Sequence, residues 1–128
     1  MKKNLLTITL VATLFQLPAY AGAPTCHTSS GVPYCNYTGA VKKLYINSSG
    51  LILVYFDTLM DQDQPINVGI QGLSRYNAAA YQISENTDYA NYLYSTLLTA
   101  QSMAKPVTFQ MWGTQSGYMK VTKIWLNQ

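Results

Sequence analysis

The stretch that decides the fold runs from Asn86 to Gln128 and reads NTDYANYLYSTLLTAQSMAKPVTFQMWGTQSGYMKVTKIWLNQ. In its first part, small or bulky apolar side chains recur every three or four residues, which predicts an amphipathic helix. Five positions carry this pattern: Tyr89, Leu93, Leu97, Ala100 and Ala104. Asn86, Thr87 or Asp88 can cap the first turn. Pro106 ends the helix, because a proline pushes the residue before it towards extended geometry.

Two strands are expected after this helix. Residues 107–112 and 119–126 alternate apolar and polar side chains, which is the period of a half-buried strand. The segment between them, Gly113 to Gly117, has the composition of a turn, so the two strands should form a hairpin. A helix with one apolar face needs a sheet to pack against. We therefore expect the helix to lie on a sheet that contains this hairpin.

The first 21 residues have the features of a secretory signal peptide. Lys2 and Lys3 precede an apolar run from Leu5 to Leu17, and Ala19-Tyr20-Ala21 places small residues where signal peptidase cuts. The apolar run is shorter than the roughly 20 residues that span a bilayer, which argues against a membrane span. The sequence therefore predicts cleavage after Ala21, a secreted or periplasmic protein, and one mature domain over 22–128.

Charge and composition narrow the function of the mature chain. Without Lys2 and Lys3 it has six basic and five acidic residues, which leaves a net charge of +1. Nucleic-acid binding needs a dense cluster of cations to neutralise phosphates, so no nucleic-acid partner is expected. Ten tyrosines remain after cleavage. Because tyrosine combines a flat apolar face with a polar tip, this composition suits interfaces and polar ligands.

Cys26 and Cys35 are the only cysteines. In an exported chain the simplest prediction is a disulfide between them, since they would meet an oxidising compartment. The alternative is a metal site, but His27 is the only further soft ligand nearby, so the disulfide is favoured. We expect no metal and no cofactor.

Three further strands are expected before the helix. Gly39–Ile46 alternates and predicts the first long strand, whereas 22–37 is turn-rich. Residues 51–56 are apolar on both faces, which predicts a central strand or one whose outer face meets another subunit. Residues 75–84 predict the third strand, and 66–70 a short strand or loop edge.

The order of these elements predicts the fold. Five strands with a helix between the third and the fourth favour a mainly β chain with one helix, an OB-fold. That is a five-stranded Greek-key barrel, which we expect to be closed and all-antiparallel. The alternative is an open α+β antiparallel sheet with one helix on its face.

Few residues are suited to catalysis. A Ser-His-Asp constellation would need His27, which lies inside the loop between the cysteines. The acids Asp57, Asp61 and Asp63 lie on one stretch that is more typical of a solvated loop than of a calcium site or a carboxylate pair. No phosphate-binding glycine loop and no zinc-protease motif occur in the sequence. We therefore expect a binding protein and not an enzyme.

Four segments resemble the B subunits of A-B type bacterial toxins, in the subtilase-cytotoxin and typhoid/pertussis-like branch. They are Tyr37-Thr38-Gly39-Ala40-Val41, Leu53-Val54-Tyr55-Phe56-Asp57, Tyr89 to Met103, and Lys105-Pro106-Val107-Thr108-Phe109. The resemblance implies a ring of five OB-fold subunits whose helices line a pore and whose outer side binds host glycans, often sialylated. It also implies a separately encoded catalytic A subunit. The runner-up is a periplasmic protein-interaction or inhibitor module without a toxin partner.

The resemblance also implies glycan-binding residues. Thr38, beside Tyr37, would supply the hydroxyl before the glycine, and Asp57 the acid at the end of the second strand. The aromatic residue that the family has after its Pro-Val strand falls at Met111, with Trp112 next to it. This chain departs from the family there, and it also lacks the family's second cysteine pair.

Overall fold

The computed structural model describes residues 7–11 and 22–127. Most of the predicted signal peptide, including the expected cleavage position at Ala21, lies outside the described residues, and so does Gln128. Residues 7–11 belong to no helix or strand. Among the described residues, no helix has both the length and the apolar character that crossing a bilayer would require.

Residues 22–127 form seven strands and two α-helices. In chain order they are β1 (Thr25–Ser29), β2 (Val32–Gly39), β3 (Leu44–Ile46), β4 (Leu51–Tyr55), α1 (Asp63–Asn67), β5 (Ala78–Gln82), α2 (Thr87–Ser102), β6 (Val107–Gln115) and β7 (Tyr118–Leu126), with a short 3-10 helix (Ile83–Glu85) between β5 and α2. All seven strands belong to one sheet, in the order β1-β2-β6-β7-β5-β4-β3. A mainly β chain with one principal helix is thus confirmed, but the sheet has seven strands where five were expected.

The principal helix α2 forms where the periodicity predicts it. Of the three capping candidates, Asn86 serves as the cap: its Oδ1 accepts a hydrogen bond of 3.0 Å from the backbone N–H of Tyr89. A stripe of Ala90, Leu93, Leu97 and Ala100 is buried against the sheet. The predicted stripe extends one turn too far, because Ala104 is exposed and has a positive φ of 51° just before Pro106.

The C-terminal hairpin is confirmed, but its turn is shorter than predicted. β6 and β7 pair in antiparallel fashion, and only Ser116 and Gly117 separate them. Gly113 lies inside β6, where register shifts follow Gln110 and Met111. Such irregularities let a strand continue past a residue with positive φ, and Gly113 has a φ of 77°. Local composition alone therefore overestimated the length of the turn.

The prediction that 22–37 is only turn-rich is wrong, because this region contains a β-hairpin. β1 and β2 are antiparallel, and a two-residue turn of Ser30 and Gly31 joins them. Both turn residues have positive φ, 51° and 77°, as in the tight turns that match the twist of paired strands. Cys26 and Cys35 lie directly opposite each other in this pair and form the predicted disulfide.

The first long strand is broken, and the break curls the sheet. Residues 40–43 leave the strand geometry, so β2 ends at Gly39 and β3 begins at Leu44. β2 pairs with β6 while β3 pairs with β4, which places them five strands apart in the sheet order. In a flat sheet they would lie about 24 Å apart. The five residue steps between them reach at most about 18 Å, so the sheet must curl.

One strand pair contradicts the all-antiparallel expectation. β5 pairs with β7 in parallel, through Ala79 opposite Met119 and Ala80 opposite Lys120. The chain between these strands runs through α2 and β6, and a parallel pair needs such a crossover. The crossover therefore lays α2 over the curled sheet, where it covers the core.

Strand β4 is central, as its apolar sequence predicts, with β3 on one side and β5 on the other. Ile52 and Val54 face the main core, while Leu53 belongs to a second buried cluster with Ala80 and Tyr118. The main-core face of β4 is thus covered, whereas Leu51 and Tyr55 on the other face are only half-buried. The segment 66–70, predicted as a short strand or loop edge, contains the last two residues of α1, Ile66 and Asn67, and the turn that follows the helix.

Candidate ligand-binding site

Strand alternation divides the residues predicted to bind a glycan between two faces of the sheet. Tyr37 and Thr38 are neighbours on β2, and Met111 and Trp112 are neighbours on β6. Successive side chains in a strand point to opposite faces. Tyr37 and Met111 accordingly point into the core and are 0% exposed, whereas Thr38 is exposed and Trp112 is 56% exposed on the outer face.

Tyr37 is a core residue with a bonded hydroxyl. Its ring centroid lies 4.9 Å from that of Phe109 and 5.2 Å from that of Phe56. The hydroxyl donates to the carbonyl oxygen of Ala40 at 2.9 Å and accepts from the backbone N–H of Asp57 at 3.1 Å. Tyr37 therefore joins β2 to the end of β4, and a surface ligand cannot reach its ring in the folded chain.

Asp57 is also engaged within the protein. Its side chain is only 4% exposed, and Lys42 Nζ lies 3.0 Å from its Oδ1 as an ion pair that lacks hydrogen-bond geometry at this oxygen. The backbone N–H of Ala40 donates to Oδ2 at 3.3 Å. The carboxylate thus fastens the link between β2 and β3 to the end of β4, and it is not presented to a ligand.

The buried phenol of Tyr37 should make stability fall at alkaline pH. Burial raises the pKa of Tyr37 from 10.0 to about 12. The unfolded chain therefore ionises this group first. The stabilisation that the protonated phenol contributes is complete below pH 10 and is lost as the pH rises towards 12. For this one group, the free energy of unfolding should fall by about 1.4 kcal/mol per pH unit in that window.

Urea unfolding at pH 9 to 12 would measure this fall. Tyr37→Phe is the control: it should be less stable at pH 7 by about 1 to 3 kcal/mol, because Asp57 N–H and Ala40 C=O lose their partner. It should also decline less steeply above pH 10. Burial raises the pKa of Tyr89 to about 12 as well, so part of the decline should survive in this variant. Equal slopes in both proteins would contradict the assignment to Tyr37.

The outer face of β1, β2, β6 and β7 contains a cleft of about 570 Å³. Its lining residues lie on neighbouring strands and, apart from Val32, have polar or aromatic side chains; they are Ser29, Val32, Tyr34, Gln110, Trp112, Thr122 and Lys123. Gln110 on β6 lies opposite Lys123 on β7. Thr122 occupies the register shift beside this pair, and its hydroxyl donates to the carbonyl oxygen of Gln110 at 3.2 Å. The irregularity thus brings both Thr122 and Lys123 to the cleft.

Thr38 lies on the same outer face but does not line the cleft. It is opposite Thr108, and the two hydroxyl oxygens are 2.8 Å apart. Thr108 Oγ1 also accepts a hydrogen bond of 2.7 Å from the side-chain amide of Asn127. Of the five residues predicted to bind a glycan, the structure therefore places Trp112 in the cleft and Thr38 beside it. Tyr37, Met111 and Asp57 serve the core and the curl of the sheet.

Sequence reasoning missed the other polar residues of the cleft. Gln110 could have been found from Trp112, since residues two apart in a strand share a face. Tyr34 and Lys123 carry no such local signal, because they reach the cleft only through the pairing of β2 and β7 with β6. The hairpin β1-β2, which the sequence did not predict, supplies Tyr34.

The cleft combines groups that suit a polar ring. Tyr34 and Trp112 offer aromatic faces, Gln110 and Thr122 offer hydrogen-bonding groups, and Lys123 offers a positive charge. No acid is among the lining residues. His27 lies next to the cleft, its ring centroid 5.6 Å from that of Tyr34, and its Nε2 is 3.0 Å from Thr25 Oγ1. Within 7–11 and 22–127, no three His, Cys, Asp or Glu side chains gather as a metal centre would require.

Regular strand pairing forms the backbone around the cleft, so the groups that can contact a ligand there are side chains. Aromatic faces next to hydrogen-bonding groups can hold a ligand with both apolar and hydroxyl surfaces. Comparisons of this chain with protein-family models, with curated proteins and with solved structures found no match.

Proposed function

We propose that this chain is a secreted, non-catalytic glycan-binding protein and that the cleft around Trp112 holds the sugar. One observation carries the proposal: Trp112, a large aromatic side chain, is 56% exposed and shares a cleft with Tyr34 and hydrogen-bonding neighbours. An aromatic side chain that lines a cleft together with several polar groups is the default candidate for a ligand-binding residue. An aromatic face stacks on the C–H face of a sugar ring while neighbouring amides and hydroxyls bond its hydroxyl groups.

The sheet connectivity supports an OB-fold barrel as the scaffold. β3, β4 and β5 form a meander, α2 follows, and β5 then pairs in parallel with β7, which pairs with β6, which pairs with β2. If β2 and β3 are the two halves of one bent first strand, these pairings describe a five-stranded Greek-key barrel. β1 is then an added strand, held by the disulfide.

The positive charge in the cleft supports an acidic sugar. Lys123 lines the cleft, is exposed, and forms no ion pair among the described residues. An unpaired ammonium group near hydrogen-bonding groups favours a ligand with a carboxylate. A sialylated host glycan, as the resemblance to toxin B subunits implies, meets both requirements.

An apolar strip supports assembly into a homo-oligomer. The strip consists of Trp125 and Leu126 at the end of β7, which are 46% and 38% exposed. A shallow groove of about 380 Å³ lies between α2 and the end of β7. The proposal includes a ring of five copies and a separately encoded A subunit, both taken from the resemblance. The same strip also favours a second candidate, a periplasmic protein-interaction or inhibitor module.

A glycan array with matched tryptophan variants tests the proposal. The wild-type protein should retain acidic glycans, and Trp112→Ala should bind them at least about tenfold more weakly, since it loses the stacking face. Trp125→Ala is the control, measured by titration with one soluble oligosaccharide so that a loss of assembly does not change the reading. It removes the other exposed indole, which is 46% exposed and lies outside the cleft, and its affinity should stay within about twofold. Lys123→Gln should lose acidic glycans selectively.

Two outcomes would count against the proposal. If no glycan is enriched by the wild-type protein, the cleft has another use, and a monomer in solution would then favour the protein-interaction module. If Trp125→Ala weakens binding as much as Trp112→Ala, the sugar does not lie in the cleft. Thr38→Ala tests whether the site extends beyond the cleft. If this variant binds the sugar more weakly, the site also includes the Thr38 and Thr108 pair on the outer face.

A further inference from the structure

A second pocket, of about 400 Å³, lies away from the Trp112 cleft. Its lining residues come from β3, the turn after it, β4, the segment before β5, the turn between β6 and β7, and the start of β7. They are Tyr45, Asn47, Leu51, Leu53, Tyr55, Arg75, Ser116 and Tyr118. It shares no residue with the cleft. Three of its eight lining residues are tyrosines, and none is an acid.

The floor of this pocket is rigid and apolar. Leu53 and Tyr118 belong to the second buried cluster, and Leu51 and Tyr55 pack against it. Ala78 and Ala80 of β5 form the rest of that cluster. Tyr118 is only 8% exposed, whereas Tyr45, which lies outside the cluster, is 41% exposed and offers its ring to a ligand.

A cation lies over each of two tyrosine rings, Arg75 from the lining of the pocket and Lys43 from outside that lining. The guanidinium of Arg75 lies 5.6 Å from the ring centroid of Tyr118, and Lys43 Nζ lies 4.4 Å from that of Tyr55. The backbone N–H of Arg75 donates to the carbonyl oxygen of Gly117 at 3.1 Å, which fixes its position at the pocket. Among the described residues, the ion pairs involve Lys42 and Lys120, and neither Arg75 nor Lys43 has an acidic partner.

Asn47 adds further hydrogen-bond donors. Its Oδ1 accepts from Ser49 N at 3.1 Å, Ser49 Oγ at 2.8 Å and Leu51 N at 3.0 Å. These bonds fix the orientation of the carboxamide, because the two backbone groups can only donate. The side-chain nitrogen has no acceptor within 22–127. The side chains of Asn47 and Arg75 therefore both offer hydrogen-bond donors to the pocket. A ligand that binds there needs acceptor oxygens.

We propose that this pocket is a second binding site, specific for a sugar acid whose carboxylate pairs with Arg75 and whose ring packs against Tyr45, the exposed tyrosine of the pocket. The requirement for a negatively charged ligand comes from the pocket, since its lining offers hydrogen-bond donors and the cation of Arg75 but no acid. The choice of a sugar rests on the proposed function. Arg75 is the group that discriminates, because a guanidinium binds a carboxylate through two parallel hydrogen bonds.

Nuclear magnetic resonance of the mature chain tests the two sites separately. Arg75 is the only arginine and the chain has two tryptophans, so the Arg75 Nε–H and the indole N–H signals can be assigned without ambiguity. Titration with glucuronate should shift the Arg75 signal and saturate. Glucose and inorganic phosphate, at the same concentrations, should leave it in place, because one lacks the charge and the other lacks the ring.

Variants complete the test. Arg75→Gln should weaken glucuronate binding at least tenfold, followed through the backbone amides of Ser116 and Tyr118, while Arg75→Lys should show an intermediate loss. Lys123→Gln should leave these shifts unchanged. Arg75 is exposed, but its guanidinium lies over Tyr118 of the second buried cluster, so an otherwise unchanged spectrum must verify the fold of each variant.

The proposal is overturned if glucuronate leaves the Arg75 signal in place or if phosphate alone shifts it as much. It is also overturned if the same signals shift with protein concentration in the absence of ligand, since the pocket would then be an interface between copies. If the Arg75 signal responds to glucuronate while the Trp112 indole responds to no glycan, this site stands and the proposed function of the cleft fails.

Discussion

A Gly39→Ala variant should lose at least about 3 kcal/mol of folding free energy, although it adds only one methyl group. A Cβ atom at this position would lie 2.5 Å from Tyr37 Oη and 2.7 Å from Tyr37 Cζ, and 3.2 Å from Asp57 Oδ2. Tyr37 cannot move aside, because two rings hold it and its hydroxyl bonds to Ala40 and Asp57. Overpacking a core costs about 1 to 3 kcal/mol, and the displaced hydroxyl adds the loss of its hydrogen bonds.

Urea unfolding of Gly39→Ala and Gly113→Ala would isolate the steric cost. Gly113 has a φ of 77° but nothing within 4 Å of an added Cβ. Gly113→Ala should therefore cost only about 1 to 2 kcal/mol, through its positive φ. If Gly39→Ala proves no worse than this control, Tyr37 does not fasten β2 to β4 in the way described. Packing against Tyr37 thus requires a glycine at position 39, whether or not a ligand binds.

A Phe109→Ala variant should be destabilised by about 3 to 5 kcal/mol, the usual cost of removing a fully buried aromatic ring. Phe109 is 0% exposed, and its ring lies against both Tyr37 and Phe56, with centroids 4.9 and 6.1 Å away. These three rings come from β2, from β6 and from the residue after β4, so they hold together the parts of the sheet that the curl brings near. The cavity left by alanine would open at that junction.

Chemical denaturation with Gln110→Ala as the matched control measures this effect. Gln110 is the next residue along β6, but its side chain points to the outer face, so its loss should change stability by no more than about 0.5 kcal/mol. A Phe109→Ala cost below about 1.5 kcal/mol would mean that the core closes around the gap, and it would contradict a tight junction of the three rings.

Elements with a strong local period could be predicted from the sequence. The stripe of Leu93, Leu97 and Ala100 predicted α2, and the apolar run at 51–56 predicted β4 as a strand with a neighbour on each side. The hairpin of β1 and β2 was missed because its turn, Ser30-Gly31, stands among other turn-forming residues that hid the alternation around it. The parallel pairing of β5 with β7 was also missed, since no local pattern distinguishes a parallel partner from an antiparallel one.

The candidate site was only partly accessible in the same way. Trp112 and Thr38 were chosen from a resemblance, and strand alternation places both on the outer face. Their neighbours Tyr37 and Met111 were chosen with them, but the same alternation buries these two. If the strand boundaries around Gly39 and Gly113 had been known, the alternation of side chains would have predicted from the sequence that the first two face outwards and the last two face the core.

What the amino-acid sequence determined by itself is the set of local elements: the principal helix α2, the apolar strand β4, the disulfide partners and the C-terminal hairpin. Each depends on side chains a few residues apart. The curl of the sheet and the two pockets were decided only by the tertiary structure, because Tyr34, Trp112 and Lys123 meet through pairings between distant strands. A register shift of one residue in β7 sets which side chains reach the cleft, and that shift depends on contacts that no short segment contains.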